Sequence, residues 1–188
     1  MPQDLGTVFY FDWELRFLHF LQSIHNPILD SIMLFFTNSN SAPIITILIF
    51  VSIVFPKTRR IGFQMLLASF ISQILINNEL KHLITRCRPC WLEPGVKLLV
   101  DCPNSYSFPS GHTSGFFTLA TAIFLSNKKF GIPALVFASL GAFSRLYLFV
   151  HWPTDVLGGI LSGALCGVLS FLIIDALINI FRKKVKDK

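Results

Sequence analysis

The sequence predicts an all-α fold: an integral membrane bundle of six transmembrane helices, preceded by an N-terminal helix that lies in the membrane interface. Three observations carry this. The 188 residues are 53% hydrophobic and 14% charged, with a mean hydropathy of +0.62, against about 45–50% apolar and about 25% charged in a soluble domain. Apolar runs recur at close to the ~20 residues that a bilayer-spanning helix needs. Ten of the 16 Lys and Arg fall in three short clusters between or after those runs. The composition excludes a water-soluble globule, and 20 Phe among so few charges exclude a disordered chain, which is poor in apolar surface.

Taken in order, residues 9–25 (FYFDWELRFLHFLQSIH) set aromatics and Leu at helical spacing against Asp12, Glu14 and Arg16, which suits an interfacial helix. With no basic leader and no small-residue cleavage site, a cleavable signal peptide is not expected. Residues 27–37 (PILDSIMLFFT) read as a short first span, with Asp30 acceptable only at headgroup level or against protein. Residues 42–55 and 113–125 reach spanning length by borrowing flanking polar residues, and 61–78, 132–150 and 156–181 are near-continuous apolar runs. The expected division is an interfacial segment over 1–26, a six-span domain over 27–181 with one long loop at 79–112, and a basic tail over 182–188.

With six spans the connections alternate sides. The clusters Lys57, Arg59, Arg60; Lys128, Lys129; and Arg182, Lys183, Lys184, Lys186, Lys188 then share one face, which the positive-inside rule makes cytoplasmic. A multi-pass protein of the cell membrane follows, with its C-terminus inside and the loop 79–112 and the turn HWPTD at 151–155 outside. The N-terminal segment, with Asp4, Asp12 and Glu14 against one Arg, gives the rule no support. The net charge of +6 is therefore a topology signal, and no nucleic-acid partner is expected.

The remaining cations run against that rule. Lys81, Arg86, Arg88 and Lys97 lie in the outer loop, and Arg145 lies near the outer end of a span. A guanidinium there is expensive unless an anion or a wet cavity meets it, so Arg145 marks a functional site; pairing with Glu79 for packing alone is the alternative. Beside these cations stand His112 and His151. Pro109, Ser110, Gly111 and Thr113 surround a helix start, whose free N–H groups and positive dipole end suit an anion. Asp155 follows His151 by four positions, at a reach that holds one imidazole nitrogen as N–H and frees the other to attack. Several cations, a helix N-terminus and two His describe a phosphoryl-transfer site, with one His attacking phosphorus and the other protonating the leaving oxygen. No metal or cofactor is required. A zinc site at His112, His151 and Asp155 is the competing arrangement, which the surplus of cations disfavours.

These positions form a pattern: Lys81, six residues, Arg88-Pro89; Pro109-Ser110-Gly111-His112; and Ser144-Arg145, five residues, His151, three residues, Asp155. It resembles the three-part signature of the type-2 phosphatidic acid phosphatase superfamily, which also includes the vanadium haloperoxidases. The resemblance implies that His151 becomes phosphohistidine, that Asp155 orients it, and that His112 is general acid and then base. It assigns Lys81, Arg88, Ser110, Gly111 and Arg145 to phosphate binding. It implies a lipid phosphate or diphosphate as substrate, hydrolysed at the extracytoplasmic face. The segment NPILDSIMLFF and the minimal loops are most similar to undecaprenyl-diphosphate phosphatases; phosphatidylglycerophosphate and phosphatidate phosphatases share the same residues, and a phosphotransferase or a non-catalytic lipid carrier are alternatives of other classes. The oligomeric state is left open.

Of four Cys, three lie in the long loop. A disulfide between Cys90 and Cys102, each just outside a motif, is expected, with free thiols as the alternative. Cys87 and Cys90 also form a CxxC, without the strand pattern of a redox fold. Arg86, Lys97 and His82 read as loop charges, solvated or meeting a second phosphate. Trp91 and Trp152 read as interfacial anchors, and Asp30 and Asp175 as helix-to-helix contacts.

Overall fold

The computed structural model describes residues 6–186, and the described chain is all-α. Asp4 and Lys188, counted above, lie outside these residues. Eight helices form in the order α1 (Asp12–Ser23), α2 (Pro27–Asn38), α3 (Ala42–Val54), α4 (Arg59–Ile84), α5 (Pro89–Leu92), α6 (Gly111–Ser126), α7 (Lys128–Tyr147) and α8 (Pro153–Lys186). Local chemistry fixes their starts. Asn26 accepts from Ile28 N and Leu29 N with Pro27 at the first helical position, Ser110 caps α6, Asn127 caps α7, and Pro153 opens α8. α4 widens into a π-helical stretch over Gln73–Leu80, directly before Lys81.

Three helices, α4, α7 and α8, are long and apolar enough to cross a membrane, and the α2–α3 pair, bent by 57°, makes up to four. The six separate spans expected from hydropathy are not what these lengths support. α2 begins beside Tyr147, whose hydroxyl donates to Asp30 at 2.6 Å, and its end packs Phe36 on Phe137, lower on α7. α3 continues in the same sense, from Asn40 beside His112 down to Ile53 against Gly62. The two helices therefore make one broken descent, not a hairpin. Hydropathy counts apolar length and carries no direction, which is why two short runs read as two spans. As a result α1 sits at the same end of the bundle as the long loop. It is docked rather than free, with Glu14, Leu18 and Leu21 buried on one face and Trp13 and Phe20 exposed on the other.

α6 runs through the middle, parallel to α8 and against α4 and α7. Its approach to α8 is set by Gly159, Gly163 and Gly167, one turn apart; a Cβ on Gly163 would meet Ser114 O at 2.4 Å. Thr118 Oγ1 uses that proximity to donate to Gly163 O at 3.2 Å. Small residues that let helix backbones touch are the usual means of association where lipid removes the hydrophobic drive between helices. At the end away from the long loop, Arg60 pairs with Asp175 at 2.5 Å, which accounts for one of the two intramembrane Asp. α8 continues without a break into the basic residues that the sequence sets apart as a tail.

Replacing Gly163 by Val is expected to cost roughly 2–3 kcal/mol through forced separation of α6 and α8, seen as earlier thermal unfolding in detergent. Gly95→Val, with nothing within 4 Å of the new Cβ, is expected to leave the transition unmoved.

Candidate active site

Four chain segments meet at one end of the bundle: the end of α4, the loop over 85–110, the start of α6, and the link between α7 and α8. A cavity of about 640 Å³ opens among them, and its polar part is lined by Lys81, Arg88, Gly111, His112, Arg145 and His151. The sequence-predicted residues that it does not line are Asp155 and Ser110. Asp155 is fully buried behind His151. Ser110 has its side chain turned to α6, accepting from Thr113 N and Thr113 Oγ1. In this arrangement it shapes the helix start, while the first N–H groups of α6, at Gly111 and His112, are those a helix leaves unbonded.

His151 stands in the tight link after α7, where Phe149 takes a positive φ of 59°. Its Nδ1 lies 3.4 Å from Asp155 Oδ2, one turn into α8, and its Nε2 lies 3.1 Å from Arg88 Nη1. Arg88 donates, so Nε2 is the unprotonated nitrogen and Nδ1 carries the hydrogen toward Asp155. Burial first, then the charges of Arg88, Arg145 and Lys81, hold the His151 imidazole well below its usual range. It stays neutral, the state a nucleophile needs.

The cations are held in different ways. Arg88 is fully engaged, donating to Ser105 O at 2.6 Å, Val150 O at 2.8 Å, Ser105 Oγ at 3.1 Å and Tyr106 O at 3.2 Å. Among the described residues Lys81 reaches only Ser105 Oγ, at 3.3 Å. Arg145 is buried, donates to Thr37 Oγ1, and leaves Nε without a partner. No ion pair to Arg145 exists among the described residues, so the pairing with Glu79 weighed as an alternative is not formed. Partly unsatisfied buried cations around a cavity are what an anion site looks like before the anion arrives.

The remaining sequence readings divide. Cys90 and Cys102 are joined, with Cα atoms 6.1 Å apart, while Cys87 is a buried free thiol. Among the described residues no three His, Cys, Asp or Glu side chains converge as a metal site needs. Trp91 and Trp152 are not surface anchors: both are buried, and their indole N–H groups donate to Pro103 O and Cys87 O. Arg86 is not a solvated loop charge either; it is 1% exposed and pairs with Asp155 at 2.6 Å and Glu14 at 2.9 Å. Sequence reasoning missed Glu14, Ser105, Ser107 and Asn40. For Glu14 a signal existed, since it shares a helical face with Leu18 and Leu21. For Ser105 and Ser107 the loop supplies no periodicity to read.

A sequence model of the PAP2 superfamily matches residues 60–178. An undecaprenyl-diphosphatase of Sulfolobus acidocaldarius is 34% identical over 119 residues, which cover 63% of this chain and 57% of that protein. Undecaprenyl-diphosphatase BcrC of Bacillus subtilis is 31% identical over 155 residues, 82% of this chain and 80% of that protein. Among solved structures, Aquifex aeolicus LpxE superposes with a TM-score of 0.73 at 30% identity, covering 85% of this chain and 95% of that one. The match in sequence takes in Lys81, Arg88, His112, Arg145, His151 and Asp155, and the match in shape extends to most of the chain: this protein belongs to the PAP2 superfamily.

Proposed function

We propose that this protein is a membrane lipid phosphatase, metal- and cofactor-independent, that releases phosphate from a lipid phosphate or diphosphate through a phosphohistidine at His151. One observation carries the reading. The cavity that holds Lys81, Arg88, His112, Arg145 and His151 continues without interruption between α3, α4 and α6, where Ile45, Ile49, Leu66, Phe70 and Leu119 line it. A phosphate at the cationic end thus leaves its ester chain an apolar path along the bundle.

In the first half-reaction His151 Nε2 attacks phosphorus and forms the P–N bond while the bond to the leaving oxygen breaks. His112 gives that oxygen its proton. Lys81, Arg88, Arg145 and the first N–H groups of α6 hold the non-bridging oxygens as charge shifts. Water then attacks phosphorus, gives its proton to His112, and the P–N bond breaks to release inorganic phosphate. Asp155 Oδ2 and Ser107 Oγ, each 3.4 Å from Nδ1, hold it throughout.

The basic clusters at the opposite end of the bundle favour a cytoplasmic C-terminus and an extracytoplasmic site. With α2 and α3 as one broken crossing, α1 shares the catalytic face. The favoured substrate is undecaprenyl diphosphate, supported by the likeness to the undecaprenyl-diphosphatases of Sulfolobus acidocaldarius and Bacillus subtilis. A phosphatidylglycerophosphate substrate is the second reading, supported by Phosphatidylglycerophosphatase B of Bacillus subtilis at 39% identity over 136 residues.

Purified protein is expected to release phosphate in EDTA. His151→Ala is expected to fall to background, a loss on the order of 10³-fold or more; release that needs a divalent metal, or survives the substitution, would falsify the reading. Undecaprenyl diphosphate, phosphatidylglycerophosphate and phosphatidate compared in parallel rank the headgroups. A Leu119→Trp substitution is expected to raise KM for a long-chain substrate and spare a short soluble phosphate ester; equal effects on both would remove the chain from this part of the cavity.

The pH profile follows from the same groups. His151 acts only when neutral, and its titration is displaced downward, so kcat/KM is expected to hold below the usual imidazole range and to fall only as pH drops through the displaced value. A profile that does not fall on acidification would rule out the neutral-nucleophile role of His151.

A further inference from the structure

Two buried charged groups have no part in the reaction as written. Glu14 of α1 is 0% exposed and Arg86 of the long loop 1%. Glu14 takes a full set of hydrogen bonds: Phe11 N at 3.0 Å and Arg86 Nη2 at 2.9 Å on Oε2, Thr154 N at 2.9 Å and Thr154 Oγ1 at 2.7 Å on Oε1. It therefore closes the start of α1 and the start of α8 with one carboxylate. Arg86 donates to Phe9 O at 3.0 Å, Thr154 Oγ1 at 2.7 Å and Asp155 Oδ1 at 2.6 Å, with its guanidinium 4.5 Å from the centre of the Phe9 ring and 5.5 Å from that of Trp152. The N-terminal segment is bound to the same place by Thr7 N to Thr85 O at 2.8 Å and Cys87 N to Thr7 O at 2.9 Å, and by Tyr10 stacked on Trp152 at 4.7 Å.

The charges explain why both groups are needed. Asp155 must present negative charge to His151 Nδ1 so that the imidazole is held in one tautomer and its positive phosphorylated form is stabilised. Arg86, bonded to the other oxygen of Asp155, cancels that charge. Glu14, bonded to Arg86, cancels the cancellation, and the three groups together carry −1. Deep in a protein such ordering of charge is felt strongly, because no water screens it. Burial by itself pushes Glu14 upward; the hydrogen bonds from Phe11 and Thr154 and the charge of Arg86 outweigh it and keep the carboxylate ionised.

We propose that Glu14 and Arg86 are positioning residues for the nucleophile, and that the N-terminal segment completes the active site by delivering Glu14 to the Arg86–Asp155 pair. The inference rests on the phosphatase reading and on His151 as nucleophile. It reaches outside the stretch that the superfamily sequence model matches, residues 60–178. It makes α1 part of the catalytic assembly rather than a membrane anchor.

The test compares Glu14→Gln, Arg86→Gln and the double variant, each checked for a monodisperse, cooperatively unfolding protein in detergent. Two readouts apply: the acid limb of kcat/KM, and the titration of His151 followed by ¹⁵N-histidine NMR, assigned by its loss in His151→Ala. Glu14→Gln removes negative charge and is expected to lower the His151 midpoint by about half a pH unit or more, with kcat reduced roughly tenfold and KM little changed. Arg86→Gln removes positive charge and is expected to move the midpoint upward. The double variant restores a net −1 and is expected to regain part of the kcat lost in Glu14→Gln. His151 also faces Arg88, with Lys81, Arg145 and His112 around the same cavity, and these are unchanged in every variant. Midpoints that stay in place, that move in the same direction in both single variants, or losses of activity that simply add, overturn the proposal. A wild type that releases no phosphate overturns the phosphatase reading instead, and the NMR titration still decides the charge relation.

Discussion

Lys81, Arg88 and Arg145 are buried around one cavity in a lipid-facing bundle, and bringing them together is the constraint to which the other parts of the structure respond. Like charges in a poorly screened interior repel. Arg88 is quietened by four acceptors from the loop over 105–106 and from Val150, whereas among the described residues Arg145 and Lys81 each keep only one. The loop that supplies Ser105 is tied at its base by the Cys90–Cys102 bond, and Trp91 Nε1 closes it on Pro103 at 3.1 Å. A site that stores uncompensated positive charge binds an anion by relieving its own strain, and this is chemistry that needs no metal to supply the charge.

The rigid half of the bundle and the open half serve different purposes. α6 and α8 touch along glycines, so His112 at the start of one and Asp155 at the start of the other are carried by helices that have almost no room to shift. α3 and the lower part of α4 meet the apolar side of the cavity with exposed Leu66 and Phe70 at its edge. On the proposed reading, this places the reacting groups on the tightly packed pair and the chain-accepting wall on the looser one, keeping the geometry of the chemistry apart from the adaptation a long flexible chain demands.

The charged residues gathered at the cavity and directly behind it were readable because chemistry restricts their type and spacing: Lys81 to Arg88, Arg145 to His151, and His151 to Asp155 each sit at intervals that leave little freedom. What stood behind them was not readable. Arg86, two positions from Arg88, looked like one more loop cation because nothing in a sequence reports that Glu14, more than seventy residues earlier, would arrive to bury it. The helical spacing of residues 9–25 set Glu14 with Asp12 and Arg16 against the aromatics and Leu, and a periodicity never names the partner that buries one of those charges. The relation between the two short apolar runs was hidden for a related reason. Residues 27–37 and 42–55 are two apolar runs by composition, and only the packing of Phe36 on Phe137 and of Ile53 on Gly62 reveals that both travel the same way.

The length of α8 sets a depth. Asp155 and Asp175 are twenty residues apart on one unbroken helix, about 30 Å at 1.5 Å per residue, which is the thickness of the hydrocarbon layer. The Arg60–Asp175 pair, part exposed at 44% and 39%, belongs at one boundary of that layer, so Asp155 and the histidine it supports fall at the other. On the phosphatase reading proposed above, the helix is a gauge that holds the imidazole of His151 level with the phosphates of the surrounding leaflet, and a substrate reaches it by sideways diffusion in the membrane plane, its chains never leaving oil and its charged group never leaving the water boundary.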